Sequence, residues 1–290
     1  MKPTWIVEKH MFPEYEDKLI AAIERSGATC YLFDDTDFMR FNFDKDIKNK
    51  FTDKDCTIFY GSLQRGRELY TKTNFVPGIF LTIDNYECYK YFGMFGNSLL
   101  NSTYYMMGLN DLKRWEPYFQ FNNGEDKIFI RPSNGYKTFP GQVINMEKFE
   151  EEYETLINSY GGLDMNQLIV VSPYQKILKE SRFLVVGGKV IDGCVYMIDG
   201  EKINERIIDE EAFVYANIVV EKLKKEYPDE AYTLDIAQNE NGRYKVLEIN
   251  SFCCASIYHM DVDVVVNAIN DKCEEIHNDF WEIRDKYDMI

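Results

Sequence analysis

The chain has 290 residues, 45% of them hydrophobic and 15% aromatic, the make-up of a globular protein with a sizeable core and not of a disordered one. Its 49 Asp and Glu against 33 Lys and Arg give a net charge of -16, which argues against nucleic acid as a partner, since phosphate contacts need a basic face. No apolar run approaches the roughly 20 residues of a membrane span, and the seven cysteines form no CxxC pair of a zinc site or disulfide framework. The charges at Glu8, Lys9 and Glu14 do not fit a signal peptide. The expectation is a soluble, cytoplasmic protein with reduced thiols and no membrane partner.

Trp5–Val7 reads as a strand, Glu14–Arg25 as an amphipathic helix with Leu19, Ile20 and Ile23 on one side, and Gly27 as its stop. Thr29–Phe33 and Cys56–Tyr60 are further strands, the latter closed by Gly61-Ser62. This alternation favours a small α/β unit with a largely parallel sheet. No GxGxxG follows the first strand, so a dinucleotide fold is unsupported. From Tyr86 to about Phe121 the chain is aromatic without a clear period; Asp111–Trp115 opens a helix that Pro117 is expected to shorten. A domain boundary falls between Thr82 and Asn97.

Lys127–Arg131 is a strand ending in Pro132, Ser133–Gly141 a polar loop, and Gln142–Ile144 a returning strand. Glu147–Ser159 is an amphipathic helix with Phe149, Tyr153, Leu156 and Ile157 inward. Leu168–Val171 is a strand stopped by Ser172-Pro173, and Arg182–Val186 and Lys189–Ile191 flank a two-residue turn at Gly187-Gly188. Glu210–Tyr227 is a helix ended by Pro228. Asp261 to about Tyr287 is a last helix with Val265, Ala268, Ile269, Ile276 and Phe280 as its stripe.

The densest chemical signal lies between those two helices. Ala231–Gln238 and Tyr244–Asn250 flank Asn241-Gly242, the strongest short hairpin signal, because a two-residue turn needs φ > 0 at both central positions. Cross-strand partners about such a turn have numbers of constant sum, which sets Asp235 opposite Glu248. Alternation adds Asn250 to their face, while Leu234, Ile236, Leu247 and Ile249 supply the apolar one. Like charges facing each other destabilise a sheet, so the pair calls for a counter-charge. Two carboxylates and an amide oxygen suit Mg²⁺, which binds one or two carboxylates plus substrate phosphates.

Three other groups read two ways locally. The loop with Gly135, Lys137 and Gly141, following Arg131, can fold over a polyphosphate, with Arg131 as a bidentate fork and Lys137 as a point charge. It can equally be a hairpin connection with a solvated lysine. Val170-Val171-Ser172 and the connector to Lys176 can offer backbone groups to a purine edge, or be an ordinary strand end. Glu180 and Arg182 share a strand face; as an isolated pair they are a surface salt bridge worth under about 1 kcal/mol.

Taken in order, these elements resemble the ATP-grasp superfamily over about Ile128–Tyr258. Arg131-Pro132 followed by Lys137-x-Phe139-x-Gly141 is similar to a phage-associated clade with Arg in place of the first phosphate-binding Lys. The resemblance implies a pre-grasp α/β domain over residues 1–90, then an ATP-grasp domain over 91–290 whose two α+β subdomains grip ATP. It implies an ATP-dependent carboxylate–amine ligase that forms an amide through an acyl phosphate, with ATP and Mg²⁺ as cofactors. Its substrates would be small-molecule or peptide carboxylates and amines. By the same resemblance Asp235, Glu248 and Asn250 hold Mg²⁺. Arg131 and Lys137 hold the phosphates within the loop of Gly135, Phe139 and Gly141. Val170, Val171 and Ser172 form an adenine hinge with Lys176 near the base or α-phosphate. Arg182, with Lys137, stabilises the transferring phosphoryl group, and Glu180 orients Arg182.

The loop lacks the double-glycine run of many members, so its closure is expected to rest on Pro140-Gly141. No substrate motif transfers to the first third of the chain, where Ser62, Arg65 and Arg67 are candidates for a substrate carboxylate or simply a solvated helix start. A covalent nucleotidyltransferase would need a Lys-x-Asp-Gly setting, which the chain lacks. A non-catalytic binder of the same fold is the alternative; it would be expected to have lost Asp235, Glu248 or Arg182, and all three are present. The substrates' identity and the oligomeric state stay open.

Overall fold

A computed structural model describes residues 1–37, 39–122, 126–223 and 229–286. The chain divides into two compact units, the first from Met1–Thr82, Glu180–Ile236 and Glu248–Ile290, the second from Ile83–Lys179 and Ala237–Leu247. The first opens with β1 (Thr4–Glu8), α1 (Glu16–Arg25), β2 (Thr29–Phe33), α2 (Phe43–Asp46), β3 (Cys56–Tyr60), α3 (Leu63–Lys72) and β4 (Val76–Gly78). The four strands form a parallel sheet in the order β2-β1-β3-β4, as strand–helix alternation requires. Trp5, Ile6, Ile58 and Phe59 are fully buried; a sheet covered on both faces reads as continuous apolar runs, which is why these strands were legible.

The second unit carries α4 (Cys88–Phe95), β5 (Tyr105–Gly108), α5 (Leu112–Asn122), β6 (Lys127–Pro132), β7 (Gln142–Asn145), α6 (Phe149–Ser159) and β8 (Leu168–Pro173). Its sheet is antiparallel, in the order β5-β8-β6-β7, over a core that includes Ile128, Ile130, Phe139, Phe149 and Val171. Pro117 does not shorten α5, which runs through it to Asn122. An interior proline costs a helix about 3 kcal/mol, and here buried Leu112 and Phe119 on either side hold the helix in place. The helix expected from Glu147 begins at Phe149, because Met146–Lys148 is a 3₁₀ turn capped by the Asn145 side chain, which accepts the Glu147 N–H at 3.0 Å.

The chain continues with β9 (Ile177–Val186), β10 (Lys189–Ile198), β11 (Glu201–Ile207), α7 (Glu210–Leu223), β12 (Ala231–Asn239), β13 (Tyr244–Ser251) and α8 (Val262–Lys286). These strands form a sheet in the order β11-β10-β9-β12-β13. Gly187 and Gly188 both have positive φ (+55° and +69°), the two-residue turn that was expected. The expected end of the preceding helix at Tyr227-Pro228 and that of the last helix at Tyr287 lie outside the described residues. In α8, Val265 and Ile269 point inward as expected, but Phe280 is 41% exposed, and Val266 and Cys273 join the buried face. Among the described residues no helix is long and apolar enough to cross a membrane.

The turn after β12 is a correction to the sequence reading. The Gly242 N–H donates to Asn239 O (2.9 Å) and the Asn239 N–H to Arg243 O (3.0 Å), so the loop has three residues, Glu240–Gly242. Of these, Gly242 alone has positive φ, at +71°. The Asn239 side chain selects this longer loop by accepting the N–H groups of Asn241 and Arg243. Further along β13, Val246 and Ile249 are both buried although three residues apart, so strict alternation is interrupted between them.

Candidate functional site

In the first unit, alternation along β9 puts Glu180 and Arg182 on one face, and β12 lies beside β9 with Asp235. Arg182 closes a bidentate pair on Asp235, Nε to Oδ1 at 2.7 Å and Nη2 to Oδ2 at 2.6 Å. Its Nη1 donates to the carbonyl of Ser256 at 3.1 Å. Arg182 is 7% exposed and Asp235 1%, so this is a buried ion pair and not the surface salt bridge that the isolated Glu180/Arg182 pattern allowed. The guanidinium lies 5.6 Å from the ring centre of Tyr196 and 5.0 Å from that of Tyr258, two rings stacked at 4.6 Å and 5°. Burial opposes the Arg182 charge, but Asp235 outweighs it and holds the pKa well above the ordinary value.

Glu180 accepts a short hydrogen bond from the Tyr196 hydroxyl. Burial raises its carboxyl above the ordinary range; Asp235 and Glu248 nearby push it further, against the pull of Tyr196 and Arg182. Burial likewise raises the Tyr258 phenol, and Asp235, Glu248 and Glu180 add to it while Arg182 opposes. Asp235, Glu248 and Glu180 thus share one electrostatic neighbourhood, with Arg182 as its counter-charge, although the three-residue loop does not set Asp235 directly opposite Glu248 as a two-residue turn would.

Asn250 Nδ2 donates to Glu248 Oε1 at 3.0 Å, so strand alternation does place these two side by side. Among the described residues no group of three or more His, Cys, Asp or Glu is arranged to hold a metal ion. The candidate set is two carboxylates and an amide. With its NH₂ on Glu248, Asn250 presents its amide oxygen as an acceptor, and that oxygen with the Glu248 carboxylate is a hard donor set that fits Mg²⁺. Asp235 would have to coordinate while both its oxygens accept from Arg182, which a carboxylate with about four lone-pair sites permits.

In the second unit Arg131 stands on β6 in register with Val170, and the loop after it is held by its own residues. The Ser133 N–H donates to Leu168 O, the Gly135 N–H to the Glu87 carboxylate at 3.3 Å, the Tyr136 N–H to the Asn134 side chain, and the Thr138 hydroxyl to Gln167. Lys137 is exposed on a left-handed backbone, φ +50°. Phe139 is 1% exposed and belongs to the core of the unit, so its ring anchors the loop. A Cβ on Gly141 would come within 2.7 Å of the Phe129 ring; this glycine is there for close packing of the returning strand.

Val170 and Val171 are buried in a strand paired on both sides, to β6 and to β5, so their backbone groups serve the ladder. The register with β5 ends at Val171, and Ser172 is the first residue beyond it. The Ser172 hydroxyl is buried without a hydrogen-bond partner among the described residues. Lys176 is exposed in the connector, its carbonyl accepting the Glu240 N–H. In the first unit Ser62 caps α3, its N–H on the Glu8 carboxylate at 2.6 Å. Arg65 is no solvated helix start: it is buried, paired to Asp35 at 2.8 Å and to Glu68, and lies over the Phe41 ring.

Sequence reasoning missed Tyr196, Tyr258 and Ser256. The one local signal near them is Gly193, a glycine inside a strand, whose absent side chain makes room for the Phe183 ring.

In overall structure the chain is similar to D-cycloserine synthetase DcsG, with a TM-score of 0.62 and 12% identity over 93% of this chain and 99% of that one. It is similar to the D-alanine–D-alanine ligase from Bacillus anthracis complexed with ATP, at 0.62 and 8% over 96% and 99%. It is also similar to the ATP-grasp ligase PsnB complexed with minimal precursor, at 0.55 and 12% over 95% and 99%. Identities this low establish a shared fold. No sequence relative is found among curated proteins. Residues 110–268, more than half the chain, match the family described as "ATP-grasp domain, R2K clade family 2", and the chain belongs to this ATP-grasp family.

Proposed function

We propose that the protein is an ATP-dependent ligase that joins a carboxylate to an amine through an acyl phosphate, using Mg²⁺. Family membership supports the reading, as does the fold shared with proteins named as ligases. The observation that carries it is the buried Arg182–Asp235 pair beside Glu180, Glu248 and Asn250. Residues 1–90 serve as the pre-grasp domain and 91–290 as the ATP-grasp domain. Arg131 replaces the phosphate-binding lysine, as in a phage-associated clade.

A free carboxylate is a poor electrophile, and phosphorylation by ATP followed by displacement by an amine splits one hard step into two accessible ones. Phosphoryl transfer rests on positioning and charge stabilisation more than on covalent help from the protein. Mg²⁺, when bound, neutralises charge on the phosphates. In the first unit Glu248, Asn250 and Asp235 hold the ion. Arg182, fixed by Asp235 and the Ser256 carbonyl, offers a charge that needs no reorganisation to the transferring phosphoryl group, with Glu180 and Tyr196 orienting it. In the second unit Arg131 and Lys137 hold phosphates, and the Gly135 backbone lies in the same loop. Phe139 and Gly141 fix that loop by packing. The strand end at Val170, Val171 and Ser172, with Lys176, takes the adenine, and the partnerless Ser172 hydroxyl is suited to it.

The test is thermal unfolding of the wild type and of Glu248→Gln with ATP and Mg²⁺, each alone and together. A ligand at ~100 times its dissociation constant stabilises by about 2.7 kcal/mol. A Mg²⁺-dependent ATP shift in the wild type that disappears in the variant is expected. No shift under any condition would sink the ligase reading.

A further inference from the structure

A cleft of about 510 Å³ opens in the first unit beside the Arg182 centre. That volume lies in the range of pockets that enclose a drug-sized ligand. Two aromatic pairs line it: Phe12 with Tyr15, stacked at 5.7 Å and 15°, and Tyr196 with Tyr258. The second pair also flanks the Arg182 guanidinium, and Ser256, whose carbonyl Arg182 holds, is in the lining. The cleft therefore runs up to the centre assigned above to phosphoryl transfer.

Its rim carries both signs of charge, Glu14 and Lys18 from the start of the chain and Lys202 and Glu205 from β11. Among the described residues β11 is one of the two outer strands of its sheet. Between the pairs Val195–Ile207 and Met197–Lys202, β11 advances five residues while β10 advances two, so Ile203–Arg206 bows out of the ladder along the cleft. The bow is braced. Arg206 forks onto Asp192 at 2.9 and 2.8 Å, and His259 Nε2 lies 2.9 Å from Ile203 O. An outer strand with backbone released from its ladder is a template for an extended chain, and alternate side chains of that chain then meet flanking pockets.

We propose that this cleft binds an extended peptide, its main chain along the bowed part of β11. An aromatic or apolar side chain of the peptide packs against the ring pairs, and charged neighbours meet the rim. The proposal rests on the ligase reading and names its substrate class.

The test exposes the full chain, without nucleotide, to a synthetic pool of N-acetylated pentapeptides randomised at the three central positions; retained sequences are read by mass spectrometry and their affinities measured by titration. Asn204→Pro removes one backbone donor from the bow, at an exposed position between the Val195–Ile207 and Met197–Lys202 pairs. Glu205→Lys changes rim charge and leaves the backbone alone. Aromatic-centred peptides with charged flanks are expected to be retained, to bind at least tenfold more weakly to Asn204→Pro, and to change charge preference with Glu205→Lys. Retention of no sequence, equal binding to both variants, or displacement by free tyrosine at equal concentration would overturn the proposal. An ATP–Mg²⁺ thermal shift without peptide binding defeats this proposal alone; peptide binding without that shift defeats the ligase reading and leaves the peptide site standing.

Discussion

The Arg182 centre of the first unit and the β6–β7 loop of the second, both proposed above to meet phosphate, carry their positive charge in opposite ways. Arg182 is buried, forked onto Asp235, tied to the Ser256 carbonyl and flanked by two tyrosine rings. Lys137 is exposed on a left-handed residue, and what is fixed around it is the loop, through Phe139, Thr138 and Gly135. A charge taken out of water must have its partners complete, and such a group is oriented before any ligand arrives. An exposed lysine is a mobile point charge whose placement comes from a scaffold of neighbours and from the ligand itself. The first arrangement is costly to perturb and preorganised; the second is tolerant and adaptable.

The largest effect that separates them is Arg182→Met. It strands the Asp235 carboxylate in the core, and breaking one side of a buried pair costs about 3–5 kcal/mol. For a chain of this size that is a fall in melting temperature on the order of 10 °C. Adding Asp235→Leu to the same chain should recover most of it, since an apolar pair of similar volume often replaces a buried ion pair without loss. Wild-type melting of the single variant would show that the pair contributes nothing, and the contrast between the two regions would collapse.

Two glycines sharpen the comparison. A Cβ on Gly193 would come within 2.2 Å of the Phe183 ring and 2.9 Å of the Arg182 carbonyl, so a backbone must move. A Cβ on Gly141 meets the end of the Phe129 ring at 2.7 Å, and a ring can turn away. Overpacking costs about 1–3 kcal/mol, and Gly193→Ala should fall near the top of that range and Gly141→Ala near the bottom. Denaturant midpoints decide it; the reverse order would make the loop the stiffer region.

The legibility of the molecule follows the same division between local and distant. β3 was read to the residue because both-face burial writes itself as an apolar run, half-buried β2 because its apolar stretch Cys30–Phe33 stands between turn signals, and the Gly187-Gly188 turn because only positive φ suits it. The hairpin after β12 was placed correctly and its loop miscounted, since the deciding side chain, Asn239, lies two residues before the Asn-Gly signal. Within the centre, the need for a counter-charge was legible, but its identity was not. Arg182 and Asp235 are joined by the adjacency of β9 and β12, a pairing that no period within either strand encodes. Tyr258, at φ +48° beyond β13, has no sequence pattern at all. In the second unit Phe139 read as part of a phosphate loop, and its burial shows how a polar stretch hides a single anchor.

A smaller effect tests the electrostatics of the buried centre. The Glu180 carboxyl is raised from 4.5, chiefly by burial, so between that value and its raised one the folded state holds a proton that the unfolded chain has released. The stability this group contributes is full below 4.5 and is lost as pH rises through the raised value. Glu180→Gln stays neutral and keeps an acceptor for the Tyr196 hydroxyl. Its melting temperature relative to the wild type should therefore climb as pH is raised from 4.5 towards neutrality. A constant difference across that range would mean that Glu180 titrates as it does in water.

The smallest expected effect on stability belongs to Lys137→Ala. The side chain is exposed and the loop is held by other residues, so unfolding free energy should stay within about 0.5 kcal/mol of the wild type. On the phosphate role proposed for it, the same substitution should reduce the ATP–Mg²⁺ thermal shift. Arg182→Met and Lys137→Ala then form a matched pair. One loses stability with or without nucleotide, and the other loses only the nucleotide-dependent part. Should Lys137→Ala lower the melting temperature of the free protein by several degrees, the lysine holds the loop together, and the β6–β7 region is built on charge after all.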